Sequence, residues 1–172
     1  GDFTNTADPA TPLITGGFTI SNGGNVNIDA STNEVILGSG GLCQFYSGTH
    51  TITGDAKVGG NPTTVHNTAT LTITGNLTDG RMNINHGGTL IVNGNASLEN
   101  SPVRVGNDNN PQNGEGLFQV DGNITEASWG NVLEIMRNGM LVVGGTVNVK
   151  TFNIDAGGTA TVTGDVNMTH DN

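Results

Sequence analysis

The chain has 172 residues, is 33% apolar and 4% aromatic, and carries a formal net charge of −10 with only five Lys and Arg. Those five (Lys57, Arg81, Arg104, Arg137 and Lys150) are scattered, which excludes the clustered basic footprint of a nucleic-acid binder and makes an anionic membrane surface an unfavourable partner. Cys43 is the single cysteine, so no intrachain disulfide staples the fold, and no apolar run approaches the length of a membrane-spanning helix.

Apolar residues alternate with polar ones and are rich in Val and Ile, with Thr beside them, which is the signature of strands and not of a disordered chain. The first fifteen residues hold Pro9 and Pro12 and are expected to be a linker or a cap. Phe18-Thr19-Ile20, Val26-Asn27-Ile28 and Val35-Ile36-Leu37 follow as strands of one or two less regular coils. Gly16 lies 38 residues before Gly54, which predicts two coils of nineteen between them.

From Gly54 onward the sequence repeats. Gly54, Gly75, Gly94, Gly122, Gly145 and Gly164 are spaced by 21, 19, 28, 23 and 19 residues. An interval near twenty marks a solenoid, in which each unit is too small to bury its own apolar face and must stack on the next. Two and four residues before these glycines lie the predicted inward columns. They are Ile52, Ile73, Val92, Val120, Val143 and Val162, then His50, Leu71, Leu90, Phe118, Leu141 and Ala160. Strand side chains alternate, so the intervening residues point outward. After each glycine comes another inward column (Ala56, Leu77, Ala96, Ile124, Val147 and Val166), and then a third pair such as Met82 and Ile84, Val103 and Val105, or Phe152 and Ile154. The pattern predicts an all-β fold: a single-stranded parallel β-helix, or β-solenoid, of six to eight coils. Each coil has three short strands and about 19–23 residues. Glycine at the corners suits backbone angles that other residues resist. Asn76, Asn95 and Asn123 after the corner glycines are expected to tolerate left-handed geometry and to bond neighbouring backbone, with stacked Asn and Thr forming ladders.

Two coils exceed the period. In one, residues 106–116 form an inserted polar loop; in the other, the excess lies around Glu126 to Gly130. Loops of this kind often carry the binding face of a solenoid. Asp108, Asn109, Asn110, Asn113 and Glu115 offer oxygen atoms of the kind calcium takes. Their spacing matches neither an EF-hand nor the glycine- and aspartate-rich nonapeptide, and a solvated loop is the simpler reading, so no cofactor is expected. Trp129 is either a packing residue of its extended turn or a platform for a sugar ring. His50, His66, His86 and His170 are far apart in sequence and accompany no second cysteine, so zinc is not expected.

Outward positions held by Thr elsewhere become Ile91, Leu117, Met140 and Val142, an expected apolar patch that either meets a partner or lies beneath a loop. Thr-x-Thr pairs at Thr51/Thr53, Thr72/Thr74 and Thr161/Thr163 are interrupted by Ile91/Asn93, Gln119/Asp121 and Val142/Gly144, which breaks any flat ice-binding array. Asp29, Asp55, Asp121, Asp155 and Asp165 fall on separate coils or rows, so no carboxylate pair of the glycosidase kind assembles and no enzyme is expected.

The run Gly-Gly-Thr-Leu-x-Val-x-Gly-Asn, from Gly87 to Asn95, resembles the coils of right-handed parallel β-helix surface proteins of Gram-negative bacteria. These are the autotransporter passenger domains and the filamentous-haemagglutinin-type adhesins. The resemblance extends over residues 40–168. It implies right-handed coiling and one solenoid segment, 1–172, of a larger exported protein with flanking domains. It also implies an extracellular or cell-surface location, without membrane insertion of this segment. The function expected is that of a noncatalytic adhesin or structural stalk meeting a surface glycan or a host or cell-surface protein. The alternative is a carbohydrate-binding or polysaccharide-processing β-helix, a lyase or hydrolase. Candidate ligand or interface residues are Trp129, Ile91, Leu117, Met140, Val142, Asp108 and Asn110.

Overall fold

The structure, a computed structural model, describes residues 3–6, 13–14, 16–21, 23–78, 81–99, 102–106, 114–126 and 132–168. Those residues form an all-β fold without helix, in which parallel strands stack into a β-solenoid of about six turns.

Three columns of strands run along it. The first contains β1 (Phe3–Thr6), the start of β4 (Val26–Leu37), the middle of β5 (Cys43–Val58), the end of β6 (Thr63–Ile73), β9 (Thr89–Val92), β12 (Gly116–Val120), β15 (Gly139–Val143) and β18 (Thr159–Val162). The second contains β2 (Leu13–Ile14), the ends of β4 and β5, then β7 (Leu77–Thr78), β10 (Ala96–Leu98), β13 (Ile124–Glu126), β16 (Val147–Val149) and β19 (Val166–Met168). The third contains β3 (Phe18–Ile20), the starts of β5 and β6, then β8 (Met82–Ile84), β11 (Val103–Val105), β14 (Leu133–Ile135) and β17 (Phe152–Ile154).

The predicted inward columns are the observed ones. Ile52, Ile73, Val92, Val120, Val143 and Val162 pair in that order, as do His50, Leu71, Leu90, Phe118, Leu141 and Ala160. Ile73, Val92, Val120 and Val143 are fully buried. β-branched side chains suit this interior because their restricted χ1 rotamers fit an extended backbone, so little freedom is lost on packing.

The N-terminal coils depart from the expected phase. Ile28 pairs with Ile52, a coil of twenty-four residues and not nineteen. Gly54 stacks on Ala30, and Gly17 lies beside Gly41, so Gly16 precedes the third column and is not the counterpart of Gly54. Here β4, β5 and β6 run through the corners as strands of 12, 16 and 11 residues, with register shifts between Ala30 and Val35 and between Phe45 and Ser47. Corners built from continuous bent strand still use glycine: Gly48 (φ 98°) and Gly54 (φ 105°) both lie within β5. Phe3–Thr6 and Leu13–Ile14, within the expected linker or cap, pair with β4 and extend the stack.

The corners meet the expectation in part: Gly54 has a positive φ (105°) and the asparagines bond neighbouring backbone, but without left-handed angles. Among the described residues the left-handed non-glycine ones are Asn67, His86 and Asn138, not the asparagines after the anchor glycines. Asn76, Asn95 and Asn123 build the expected ladder along the rod. The Asn76 N–H donates to Asp55 Oδ1 (2.7 Å), the Asn95 N–H to Asn76 Oδ1 (2.9 Å), the Asn123 N–H to Asn95 Oδ1 (2.9 Å) and the Thr146 N–H to Asn123 Oδ1 (2.8 Å). Each amide oxygen occupies the space beside the next coil's glycine. A Cβ at Gly94 would meet Asn76 Oδ1 at 2.7 Å, and one at Gly122 would meet Asn95 Oδ1 at 2.5 Å. Neither glycine has a positive φ, so close approach and not backbone angle demands glycine there.

Candidate functional site

The four outward apolar candidates sit on one face, carried by β9, β12 and β15. Leu117 pairs directly with Met140. Ile91 and Val142 share the adjacent column, with Gln119 between them. Gln119 Nε2 donates to Asp121 Oδ1 (3.0 Å), so a polar rung divides the apolar face. All four side chains are half-buried. Trp129, Asp108 and Asn110 lie outside the described residues, as do Asn109 and Asn113 of the calcium reading and His170.

The larger exposed apolar groups lie elsewhere. Ile154, Val166 and Met168 of the last described coil are 51%, 45% and 64% exposed, because they occupy inward columns that no described coil covers. Leu42, at the corner before β5, is 49% exposed.

Five carboxylates along the rod, Asp29, Asp55, Asp121, Glu126 and Glu134, are engaged in local bonds. Asp29 accepts the Ser31 N–H (3.0 Å), and hydrogen bonding to Ser31 holds its carboxyl below the usual range. Asp55 heads the asparagine ladder. Glu134 pairs with Arg104 Nε at 2.8 Å on adjacent strands of the third column, a half-exposed pair worth at most about 1 kcal/mol. Glu126 stands in register with inward Leu98 and accepts the Lys150 N–H, and its other oxygen, Oε1, is buried with no hydrogen-bond partner. Among the described residues no group of three His, Cys, Asp or Glu converges on a common point.

Among the histidines, His50 is inward as expected, and the meeting of His66 with His86 is what the sequence concealed. His50 is fully buried in its inward column. Its Nδ1 accepts the Val26 N–H (3.1 Å), which leaves Nε2 as the protonated nitrogen, 3.0 Å from Ser47 O. Phe45 packs against the ring at 4.7 Å. The neutral imidazole is therefore satisfied on both sides, and burial pushes its pKa below the ordinary histidine value. His66 and His86, by contrast, meet at a surface corner, their ring centroids 5.7 Å apart and edge to face. Tyr46 stacks on the other side of His66 at 4.7 Å, with planes 3° apart. Burial, and then the neighbouring His86, lower the pKa of His66, while Asn85 acts against them. Distance in sequence was the wrong measure for this pair, because twenty residues is one coil.

On the opposite side of the question, Thr51 pairs with Thr72, which places the first two Thr-x-Thr pairs on adjacent coils. Ile91, Gln119 and Val142 then interrupt the column before Thr161.

The fold and these features define a parallel β-solenoid with polar faces. No protein-family model matches the chain, and no curated protein or solved structure matches it.

Proposed function

We propose that this chain is a noncatalytic β-solenoid that serves, outside the cell or on its surface, as an adhesin or a structural stalk. The observation that carries the reading is the continuous ladder from Asp55 through Asn76, Asn95 and Asn123 to Thr146. It ties each coil to the next along one edge, parallel to an unbroken apolar core, and a rod so braced suits the task of holding something at a distance. The coil wording Gly87 to Asn95 supports a place among right-handed β-helix surface proteins of the autotransporter-passenger or filamentous-haemagglutinin type. On this reading the partners are surface glycans or proteins of a host or neighbouring cell, together with flanking parts of the same protein. The inserted loop and the face bearing Leu117 and Met140 are where recognition is to be sought.

The test is a glycan array probed with the chain and with Trp129→Ala, alongside a polysaccharide panel assayed for newly formed chain ends. The stalk reading expects no new chain ends and no glycan signal that depends on Trp129. Depolymerisation of any polysaccharide would overturn it in favour of a processing enzyme. A glycan signal abolished by the substitution would replace it with a carbohydrate-binding one.

A further inference from the structure

The corner shared by His66 and His86 brings two imidazoles together from adjacent coils. Asn85 Oδ1 is buried and has no hydrogen-bond partner. A ring N–H of His66 beside it is the donor that would satisfy that oxygen and fix the tautomer of the ring. Asn85 is also a neighbour of the His66 ring, where it favours the charged form. His86 occupies the left-handed position (φ 55°) that Asn67 holds one coil earlier, so the turn directs an imidazole where the preceding coil has an amide. The net charge of −10 further favours cations near the rod.

The spacing of the rings fits a chelate. Imidazole nitrogen binds zinc at about 2.0–2.1 Å in tetrahedral geometry. With each nitrogen roughly 1.1 Å from its ring centre, two such ligands place their centroids about 5.2 Å apart. The observed 5.7 Å is close to that value.

We propose that His66 and His86 form a two-imidazole site for a divalent transition-metal ion of the Zn2+, Ni2+ or Cu2+ class. Water or a donor from a partner molecule fills the remaining positions. Imidazole suits these ions, whereas magnesium and calcium select oxygen. Asn85 is the positioning residue: its Oδ1 takes the N–H of one ring nitrogen of His66 and leaves the other lone pair for the metal, as carbonyl oxygens do for histidine ligands generally. Tyr46 holds the His66 ring plane by stacking.

The test uses the whole chain carrying His170→Ala, which removes the histidine outside the described residues. Zn2+ is titrated while the imidazole nitrogen resonances are followed by NMR, and Ni2+ binding is measured by calorimetry. The resonances of His66 and His86 should respond together. Those of His50, whose two nitrogens are engaged, should not. His66→Phe, which keeps a ring on Tyr46, and His86→Asn, which suits the left-handed turn, should each weaken binding at least tenfold. Asn85→Ala should weaken it by about 10–100-fold. Zn2+ binding that persists unchanged in either histidine variant, or no response of these two rings up to millimolar Zn2+, would overturn the proposal. Both variants should keep the strand circular dichroism of the parent. If one does not, imidazole resonances of the His170→Ala chain itself decide the matter.

Discussion

Replacing Asn95 by alanine cuts the ladder in the middle of the rod. Two side-chain bonds vanish: Asn95 Oδ1 no longer receives the Asn123 N–H (2.9 Å), and Asn95 Nδ2 no longer reaches Asn76 Oδ1 (3.3 Å). The bond from the Asn95 N–H to Asn76 Oδ1 survives, because it uses the backbone. Hydrogen bonds contribute a net ~0.5–1.5 kcal/mol each, and this corner is exposed, so water partly replaces them. The expected loss is about 1–2 kcal/mol. For a chain of this size that lowers the melting temperature by roughly 2–8 °C. Thermal unfolding followed by circular dichroism should show this shift for Asn95→Ala and less than about 2 °C for Asn93→Ala, an exposed residue of the same coil. Asn95→Asp keeps the acceptor for Asn123, as Asp55 does for Asn76, and should recover about half of the loss. Equal melting temperatures for Asn95→Ala and Asn93→Ala would show that the ladder contributes nothing. An aspartate variant as unstable as the alanine one would show that acceptance by Oδ1 is not the stabilising bond.

The register makes a sharper contrast at neighbouring positions. Val92→Asp places an unpaired carboxyl in a fully buried column and should cost several kcal/mol, whereas Thr72→Asp on the outward row should change stability by less than about 1 kcal/mol. Similar denaturation midpoints for the two variants would contradict the assignment of inward and outward faces. Acid should weaken the fold. His50 and His66 both have folded pKa values below the ordinary 6.5, so the unfolded chain binds protons more readily as pH falls through that value. Their stability contribution is present above pH 6.5 and is lost as pH falls below it. Denaturant midpoints measured from pH 7.5 to 5 should therefore decrease, and less steeply in His50→Gln. An unchanged slope in that variant would remove His50 from the account.

The middle and end of the rod were readable because one corner repeats a device. Wherever Gly94, Gly122 or Gly145 stands, the strand before it alternates, and the column containing Val92 could be written down without coordinates. What could not be read was why the glycine is there. A sequence shows an absent side chain but not whether an angle or a neighbouring Oδ1 requires it, and Gly122 answers to the latter. The phase failed before Gly54 for a related reason. In β5 the chain turns corners as continuous strand, so Gly16 offered a false landmark. His50 was legible as an inward histidine, and its accommodation by Val26 and Ser47 followed from burial chemistry. The pairing of His66 with His86 was not. Separation along the chain was treated as separation in space, although any residue of a solenoid lies beside its counterpart one coil on. The candidate residues Leu117 and Met140 were placed on the proper face, but the rung formed by Gln119 depended on side-chain rotamers that no repeat pattern specifies.

The coil from Gly75 to Gly94 takes 19 residues and the coil from Gly94 to Gly122 takes 28, yet the ladder bonds that follow them are both 2.9 Å long. The rod therefore does not count residues; it recognises only the arrival of the next glycine and asparagine at the right place. Between β11 and Gly116 the longer coil takes its extra residues without altering the alignment of Val120 on Val92, and Gly116 still stands directly above Gly88. Evolution, or an engineer, can thus exchange the peptide held between those two points as freely as a plug in a standard socket, and a lineage of such rods can change what it touches while its coils remain the same.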